Sequence, residues 1–440
     1  MEQEEIHLRR ANFKTTLRNE VISKFVSIRR FAKYTGMNAT SLGLIFKDEQ
    51  GLSPDKLDIM TTALGYLPGY FYEEYINECY INGHIHYSRA SEFLFLCYVH
   101  NKLSVAERVT QALYDDTDKA KVIQTLLEVA ERLYLHDKTE ESERYYDYVI
   151  KREESFSERL AIAVMRKYSI LRKRDDVELT RQYLYKLIDL VALLPKVQEY
   201  NYGSEEEKRV EHLQSEGYSL ITRYFNSIED WIKVEDFALK LQSSAGDNVS
   251  YYGESLLYQF SSLRERGLTE SALMLNKTIE RINSFYSRIA KGNRMLIDVE
   301  SGDQSVIPSV IEWINNDDEL KLFFPVMIEC YLRNNNLEGA LKSVKQYHYL
   351  LLEKFHSVEL LHQRRKSRLW VALADLYFRI KDTKMACNYL SEAITLSIVS
   401  KNLIRYHRCM LLMMENLHSI KDQELQLIQT SIKRSEDLLC

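Results

Sequence analysis

A basic segment near the N-terminus carries side chains suited to bind a polyanion. Between residues 9 and 33 the sequence has eight basic residues and a single acid, Glu20. Arginine and lysine bind phosphates, whereas short amide and hydroxyl side chains reach base edges in the DNA major groove. The candidate DNA-binding residues are Ser27, Arg29, Arg30, Lys33, Asn38, Ala39, Thr40, Ser41 and Lys47. A solvated basic helix would have the same composition, so charge alone does not separate the two interpretations.

A second group, Cys79, His84 and His86, has side chains of the types that can act as zinc ligands. A structural zinc site takes four ligands, and this spacing supplies no fourth. We therefore expect no metal here, and interpret the neighbouring aromatic residues as packing that seals the N-terminal region against the rest of the chain. These residues are Tyr70, Phe71, Tyr75, Tyr80 and Tyr87.

The sequence has no motif for nucleotide-dependent, metal-dependent or nucleophilic catalysis. The patterns GxxxxGK[ST], GxGxxG, HExxH and GxSxG are all absent. The acids Asp175-Asp176 and Asp317-Asp318-Glu319 are expected in loops, and the histidines occur singly. We expect neither an enzyme nor a bound cofactor.

Composition indicates an all-helical protein with short connections. The 440 residues include 14 glycines and 5 prolines, where average usage would give about 31 and about 22. No apolar run approaches the roughly 18 residues of a membrane span, and we expect no signal peptide. Six cysteines without a CxxC pair suggest reduced thiols, so the expected location is the cytoplasm.

Residues 27–66 have the pattern of three short helices joined by tight turns. Ser27 predicts a helix N-terminus, Gly36 a turn, Asn38 the start of a second helix and Ser53-Pro54 the start of a third. This order is the helix-turn-helix plan, in which the second helix enters the major groove. The segment resembles the Cro/C1-type repressor family at Ser27, Phe31-Ala32, Gly36, Asn38, Leu42, Ile45, Leu57, Ala63-Leu64 and Gly65.

Two positions depart from that family. Gly43 and Phe46 stand where its members usually have polar residues. Glycine lowers helix stability by roughly 1 kcal/mol relative to alanine, so we expect the second helix to be short or to need DNA to order it. The alternative is a three-helix cap that binds no ligand.

Residues 117–404 have the pattern of repeated helical hairpins. The copies are 369–398, which is the clearest, 323–350, 126–150 and the weaker 169–188 and 261–282. The first copy resembles the tetratricopeptide pattern at Trp370, Leu373, Ala374, Tyr377, Ala386, Tyr389 and Ala393. We predict about six to eight hairpins in a right-handed superhelix, with the longest loop, a candidate hinge, at 299–309.

The first helices of such hairpins line a concave groove. Groove-lining arginines, amides and acids suit an extended peptide, because they pair with its backbone, its carboxylate and a basic side chain. The candidate peptide-binding residues are Arg172, Arg223, Asn226, Arg264, Glu329, Arg333, Arg368, Asp375 and Arg379. Each taken singly is more often a solvent-exposed salt-bridge partner. We expect few long-range contacts in this array, so that a peptide could change its curvature.

The C-terminal segment 405–440 lacks the repeat pattern and is rich in apolar residues. They are Met410, Leu411, Met413, Met414, Leu417, Ile420, Leu425, Leu427 and Ile428. A capping repeat should expose less apolar surface, so we predict that this segment forms a two-fold dimer interface. The alternative is a self-contained cap.

A Cro/C1-type head followed by a tetratricopeptide body resembles the peptide-pheromone-sensing regulators of Gram-positive bacteria and their phages (the RRNPP superfamily). Within that group it is most similar to the phage arbitrium receptors, which govern the lysis–lysogeny choice. The resemblance implies a homodimeric transcription regulator on a palindromic operator, controlled by a peptide of about five to ten residues in the groove.

The expected domains follow from the motifs and the resemblance. They are a DNA-binding domain at 1–78, a helical connector at 79–116, a peptide-binding repeat domain at 117–404 and a cap or dimerisation segment at 405–440. A different class of function stays open, in which the repeats are a protein-interaction adaptor and the head binds no DNA.

Overall fold

The computed structural model describes residues 3–81, 83–174, 176–200, 209–347, 360–400 and 402–437. This described part is mostly helical and contains two short antiparallel strand pairs, so the expectation of a helical fold is confirmed in its main feature. The chain separates into two compact units, residues 1–170 and 171–440. This division coincides with none of the boundaries expected from the sequence at 78, 116 and 404.

The first unit begins with four helices, followed by a short helix, a strand pair and further helices. The helices are α1 (Gln3–Phe25), α2 (Ile28–Thr35), α3 (Ala39–Phe46), α4 (Pro54–Ala63), α5 (Tyr72–Tyr75), α6 (Tyr87–Val99), α7 (Leu103–Asp115), α8 (Lys119–Leu135), α9 (Thr139–Arg152) and α10 (Glu158–Leu171), which ends at the boundary between the units. Strands β1 (Tyr80–Ile81) and β2 (His84–Ile85) form an antiparallel pair.

The second unit consists of helices that follow one another in hairpins. They are α11 (Val177–Leu190), α12 (Leu213–Ser227), α13 (Trp231–Ser244), α14 (Val249–Glu265), α15 (Thr269–Glu280), α16 (Ser284–Ser301), α17 (Ile307–Trp313), α18 (Asp317–Arg333), α19 (Leu337–Gln346), α20 (Leu360–Arg379), α21 (Thr383–Val399), α22 (Leu403–Asn416) and α23 (Asp422–Asp437). Strands β3 (Gln198–Tyr200) and β4 (Arg209–Glu211) form an antiparallel pair before α12.

The turn between α2 and α3 follows the local rules expected from the sequence. Ser27 caps α2, where its Oγ accepts from the Arg30 backbone N–H at 3.3 Å. Gly36 ends α2 with φ +72°, a left-handed conformation that glycine adopts without steric cost. The predicted helix bounds at Gly36, Asn38 and Pro54 are therefore confirmed.

Helix α1 packs against the short helices near the N-terminus, and this helix was not predicted from the sequence. Its buried face consists of Ile6, Phe13, Leu17 and Val21, spaced as one stripe of an amphipathic helix. The helix packs against α2, α3 and α5. Phe46, one of the two departures from the repressor pattern, is buried, so an apolar residue suits that position here.

The hairpin of α20 and α21 contains the residues that resemble the tetratricopeptide pattern in the sequence. Ala374, Ala386 and Ala393 are fully buried, and small side chains allow the two helices to approach closely. The Trp370 and Tyr389 rings pack edge to face with centroids 5.4 Å apart. Between residues 117 and 404 the described part contains six complete hairpins plus α10 and α11, which agrees with the expected six to eight.

The expectation of a long loop at 299–309 is wrong. Helix α16 continues to Ser301, Gly302 ends it with φ +101°, and a short 3-10 turn at Gln304–Val306 leads directly into α17. The sequence suggested a loop because glycine and acids cluster there. In the structure the glycine terminates a helix and Asp303 caps the turn, where its side chain accepts from the Ser305 backbone N–H.

The second unit is closed by contacts between distant helices. Helix α20 packs against α12 as well as against its neighbours α18 and α21. Arg364 on α20 and Arg405 on α22 both bind the carboxylate of Glu229, which follows α12. The expected array with few long-range contacts is therefore wrong for this unit, because a pattern that repeats locally contains no information about whether its ends meet.

The C-terminal helices pack on the rest of the unit and also expose apolar side chains. Ile428 is fully buried and Cys409 and Leu412 are buried, while Met410, Met413 and Ile420 pack against the same core. A second set of the apolar residues is exposed, namely Leu411, Met414, Leu417 and Leu427. The segment thus caps its own unit and presents a further apolar face.

None of the described helices is both long and apolar enough to cross a membrane.

Candidate nucleic-acid interface and candidate ligand cavity

The outward face of α3 has a different composition from the one that the sequence suggested. Asn38 uses its side-chain oxygen to accept from the backbone N–H groups of Thr40 and Ser41, at 2.9 and 3.0 Å. The Ser41 hydroxyl donates to Gln50 Oε1 at 3.0 Å. The Asn38 oxygen is therefore already occupied by two donors and is not free for bidentate pairing with adenine, and Ser41 is half-buried. Asn38 thus caps the N-terminus of α3, as its position in the sequence predicted, whereas Ser41 binds the segment that follows the helix.

The cations around α3 are exposed, and none has an acidic partner among the residues that the structure describes. Arg29, Arg30 and Lys33 on α2 and Lys47 after α3 form no ion pair with any residue in the described ranges. By contrast, Arg9 on α1 pairs with Glu5 at 2.5 Å. Ala39 is half-buried, and Thr40 is exposed. Together these residues form a surface with an excess of positive charge, which we call the α2–α3 basic surface.

The C-terminal end of α3 is anchored to α1 by a buried ion-pair network. Asp48 accepts from Lys14 Nζ at 2.6 Å and pairs with Arg10 at 2.9 Å. Lys14 Nζ also lies 3.0 Å from Oε1 of the fully buried Glu78. Burial raises the pKa of Asp48, but the hydrogen bonds and positive charges of Arg10 and Lys14 outweigh this effect and hold the pKa below its ordinary value. The network fixes the orientation of α3 relative to α1 and the segment before β1.

Cys79, His84 and His86, whose side chains are of zinc-binding types, have separate structural roles. Cys79 is buried, the His86 ring nitrogen Nδ1 accepts from the Arg89 backbone N–H at 3.2 Å, and His84 is exposed on β2. No group of three or more histidine, cysteine or acidic side chains suited to hold a metal ion occurs among the residues that the structure describes.

Some of the aromatic residues between 70 and 87 pack against the N-terminal helices, as expected from the sequence, and others do not. Phe71 and Tyr75 are buried and contact the Phe13 ring of α1, and the Tyr75 hydroxyl donates to the Leu52 carbonyl at 2.6 Å. Tyr70 is exposed and Tyr80 is half-buried. Tyr87 donates to Asp116 at 2.7 Å, so it binds a different part of the first unit.

Acidic groups of α4 meet titratable groups of α5 and α6. The Tyr72 hydroxyl donates to Asp58 Oδ2 at 2.7 Å, and His100 Nε2 lies 3.1 Å from the same oxygen. Burial, followed by the hydrogen bond with Asp55, raises the pKa of Glu92 on α6 to about 7. This contact couples the packing of α4 on α6 to pH.

The second unit contains a partly open cavity of about 380 Å³, which lies in the range of ligand pockets. Helices α12, α14, α16, α18 and α20 each contribute to its wall, as expected for the first helices of hairpins. The lining residues are Asn226, Glu254, Leu257, Tyr258, Ser261, Arg264, Ile289, Asn293, Lys321, Leu322, Pro325, Arg364, Arg365 and Arg368. We call this space the central cavity.

Most of the charged groups at the central cavity form ion pairs with acids behind them. Arg368 binds Glu329 at 2.7 Å and Glu300 at 3.2 Å. Arg364 donates to Glu229 at 3.0 Å and to Asn226 Oδ1 at 3.1 Å. Burial raises the pKa of Glu229, but the Arg405 and Arg364 guanidiniums lower it to about 2. These pairs order the arginines in the cavity wall.

Arg365 differs from the other arginines of the central cavity. Its guanidinium forms no ion pair within 4 Å of an acid of the described chain. Burial, followed by the charge of the adjacent Arg364, lowers the pKa of Arg365 below its ordinary value. A cation disfavoured by its surroundings in this way is a good partner for an anionic ligand group.

The structure brings together some of the predicted peptide-binding residues and separates others. Asn226, Arg264 and Arg368 line the central cavity. Arg223 and Glu329 do not line it but bind Glu254, at 2.9 Å, and Arg368, at 2.7 Å. The others lie outside the cavity wall: Arg172 follows α10, Arg333 donates to the Glu300 carbonyl, and Asp375 and Arg379 pair with each other.

Sequence interpretation missed Arg364, Arg365 and Lys321. It placed the start of the last tetratricopeptide copy at residue 369, whereas α20 begins at Leu360. Arg364 and Arg368 are four residues apart, so they share one helix face. That spacing was present in the sequence, and an earlier helix start would have identified it.

Comparison with known proteins identifies no family. No family model matches the chain, and no curated protein matches it. Among solved structures, the chain is similar to a circular tandem repeat protein with novel repeat topology and enhanced subunit contact surfaces, at 14% identity over 99% of this chain and 91% of that one. The TM-score is 0.15, and the likeness carries no argument about function.

Proposed function

We propose that the protein is a DNA-binding transcription regulator controlled by a short peptide, with α2 and α3 as its helix-turn-helix. The observation that carries the proposal is the set of exposed cations Arg29, Arg30, Lys33 and Lys47, none with an acidic partner in the described ranges, around a short capped helix. Unpaired cations supply most of the nonspecific affinity for a phosphate backbone. The resemblance to Cro/C1-type repressors supports the same assignment.

An electrophoretic mobility shift with duplexes from the genome that encodes the chain tests DNA binding. Replacing Arg29 or Arg30 by alanine should weaken binding to every sequence alike and reduce the slope of log affinity against log salt by about 1. Arg9→Ala is the matched control, since Arg9 is also exposed but pairs with Glu5. Absence of a shifted complex with any fragment would favour the adaptor alternative.

The proposed peptide site is the central cavity. Its wall combines several guanidiniums with the amides of Asn226 and Asn293 and the apolar side chains of Leu257 and Ile289. Arginine and amide groups bind a peptide carboxylate and backbone, and Arg365 is the cation without a paired acid among the described residues. These features support a peptide with an anionic group as the ligand.

Isothermal titration calorimetry with synthetic peptides tests this site. The first probe is the peptide encoded by any short secreted reading frame beside the gene. Arg365→Gln should weaken binding about tenfold or more, because a hydrogen bond to a charged group contributes about 1.5–3 kcal/mol. Arg333→Gln is the control, since Arg333 lies outside the cavity wall. Equal losses in both variants would remove the cavity as the site.

Regulation requires that peptide and DNA binding be coupled. A tenfold effect of peptide on DNA affinity corresponds to a coupling free energy of about 1.4 kcal/mol, and DNA must change peptide affinity by the same factor. Titrating peptide into free protein and into the protein–DNA complex measures this factor. Equal affinities in the two titrations would show that the two sites act independently.

A further inference from the structure

The direct sequence readout of α3 should depend on methyl groups rather than on amide hydrogen bonds. This inference rests on the proposed DNA-binding function and concerns the chemistry of the same surface. Two of the three polar side chains of this helix that were expected to contact bases are already engaged, since Asn38 binds backbone amides at the N-terminus of α3 and Ser41 binds Gln50. The side chains left on the outward side therefore decide what α3 can recognise.

These remaining residues form one continuous arc of the helix. Leu42, Ile45 and Phe46 are buried and define the inward side. The opposite side holds Ala39, Thr40, Gly43 and Leu44, with Lys47 following the helix. A period of 3.6 residues per turn places these positions next to one another. Within α3 the arc has one hydroxyl and no amide, carboxylate or guanidinium.

Leu44 is the largest apolar side chain on this arc, and it is 37% exposed. Gly43 beside it has open space, because a Cβ built there would meet no atom within 4 Å. A duplex can therefore approach the helix backbone closely at this point. Arg29, Arg30 and Lys33 on α2, which have no ion pair in the described part of the chain, supply positive charge next to the same helix.

In the major groove, a base edge that an apolar side chain can distinguish is the thymine 5-methyl group. We propose that Leu44, with the methyl group of Thr40, contacts thymine methyl groups, so that α3 selects half-sites with thymine at defined positions. The flanking cations position the helix on the phosphates, and the methyl contacts supply the sequence preference.

Selection of bound duplexes from a randomised pool by the intact full-length protein provides the probe. In the enriched duplex, each thymine is then replaced in turn by deoxyuridine, which lacks only the 5-methyl group. We expect one or two replacements per half-site to weaken binding about threefold to tenfold, consistent with the loss of one buried methyl contact.

Leu44→Ala should lower affinity for the unmodified duplex by a similar factor and should abolish the effect of deoxyuridine at the contacted position. Leu44→Met, which keeps an apolar side chain of similar volume, should retain most of that effect. Ile59→Ala is the matched control, because Ile59 is a 45% exposed apolar residue on α4, and it should change neither affinity nor the deoxyuridine effect.

Three results would overturn the inference. If duplexes are enriched but no deoxyuridine replacement weakens binding, or if Leu44→Ala keeps the full deoxyuridine effect, α3 does not read thymine methyl groups while the proposed function stands. If no duplex is enriched from the pool, the proposed DNA-binding function fails and this inference fails with it.

Discussion

Arg364 and Glu229, 135 residues apart in the chain, form an ion pair of 3.0 Å that connects α20 to the end of α12. Glu229 also accepts from Arg405 at 2.6 Å, so one buried carboxylate joins three separate helical segments of the second unit. Glu229 itself has φ +62°, a left-handed conformation that is uncommon for residues other than glycine. The surrounding contacts hold this residue where both arginines reach it.

Glu229→Gln should lower the free energy of unfolding of the second unit by about 3 kcal/mol, because removing one partner leaves buried charges uncompensated. Tryptophan fluorescence during urea unfolding measures this change, since Trp231, Trp313 and Trp370 all lie in the second unit. Arg223→Gln, which removes a pair whose arginine is 46% exposed, should cost less than about 1 kcal/mol. Equal effects would show that the Glu229 pairs are no more important than a surface pair.

The contact between Asp55 and Glu92 should make the first unit less stable as pH rises from 5 to 8. The pKa of Glu92 is raised to about 7 by burial and by Asp55, so the folded state binds this proton more tightly than the unfolded state does. The resulting stabilisation is fully present below the ordinary glutamate pKa and is lost as pH rises through about 7. Thermal unfolding followed by circular dichroism measures the trend.

Glu92→Gln should flatten this pH dependence, because the amide stays neutral throughout. Glu107→Gln is the control, since its hydrogen bond with Arg144 lowers the pKa of Glu107 and so moves its titration below this pH range. A wild-type profile that is flat between pH 5 and 8 would contradict the assigned role of Glu92.

Asn38→Ala should destabilise α3 by about 1 kcal/mol, as expected for the loss of a helix N-cap. Asn38→Ser should restore most of this loss and leave sequence preference for DNA unchanged, because serine caps helices equally well. Hydrogen exchange of the amides in 39–46 measures the effect. Asn248→Ala is the matched control, since Asn248 caps α14 in the second unit through the same two bonds. Changed base preference in Asn38→Ser would restore Asn38 as a reader of bases.

The exposed face of the C-terminal segment should support dimerisation of the proposed regulator. Met414 is 67% exposed and Leu411 is 59% exposed, and an apolar face of this kind is typical of an interaction surface. Met414→Gln should therefore shift a dimer toward monomer in analytical ultracentrifugation. Met274→Gln, at a 71% exposed position on α15, should not. A monomeric wild-type protein, or a dimer unaffected by Met414→Gln, would remove this segment as the interface.

The helical fold and the local helix bounds could be predicted because they depend on short-range patterns. Ser27, Gly36 and Pro54 mark helix termini in the sequence and occupy them in the structure. The side-chain partners could not be predicted in this way. Whether Asn38 caps a helix or faces outward depends on backbone geometry, and both roles suit the same residue.

Only some of the residues that line the central cavity could be predicted, because the lining also depends on how distant helices pack. Asn226, Arg264 and Arg368 were identified from the hairpin register, which places first-helix residues on the inner side. Asp375 and Arg379 follow the same register but pair with each other. Which turn of a helix faces the central cavity depends on how the hairpins curve and where they meet. The repeat pattern of the hairpins does not predict that α12 packs against α20.

Closure of the second unit has a consequence for how its hairpins come apart. An open stack of repeats frays from its ends, since each terminal hairpin has a neighbour on one side only. Here α12 has α13 and α14 on one side and α20 on the other. Its amides should therefore exchange with solvent as slowly as those of interior helices, and the unit should lose structure in one concerted step rather than hairpin by hairpin.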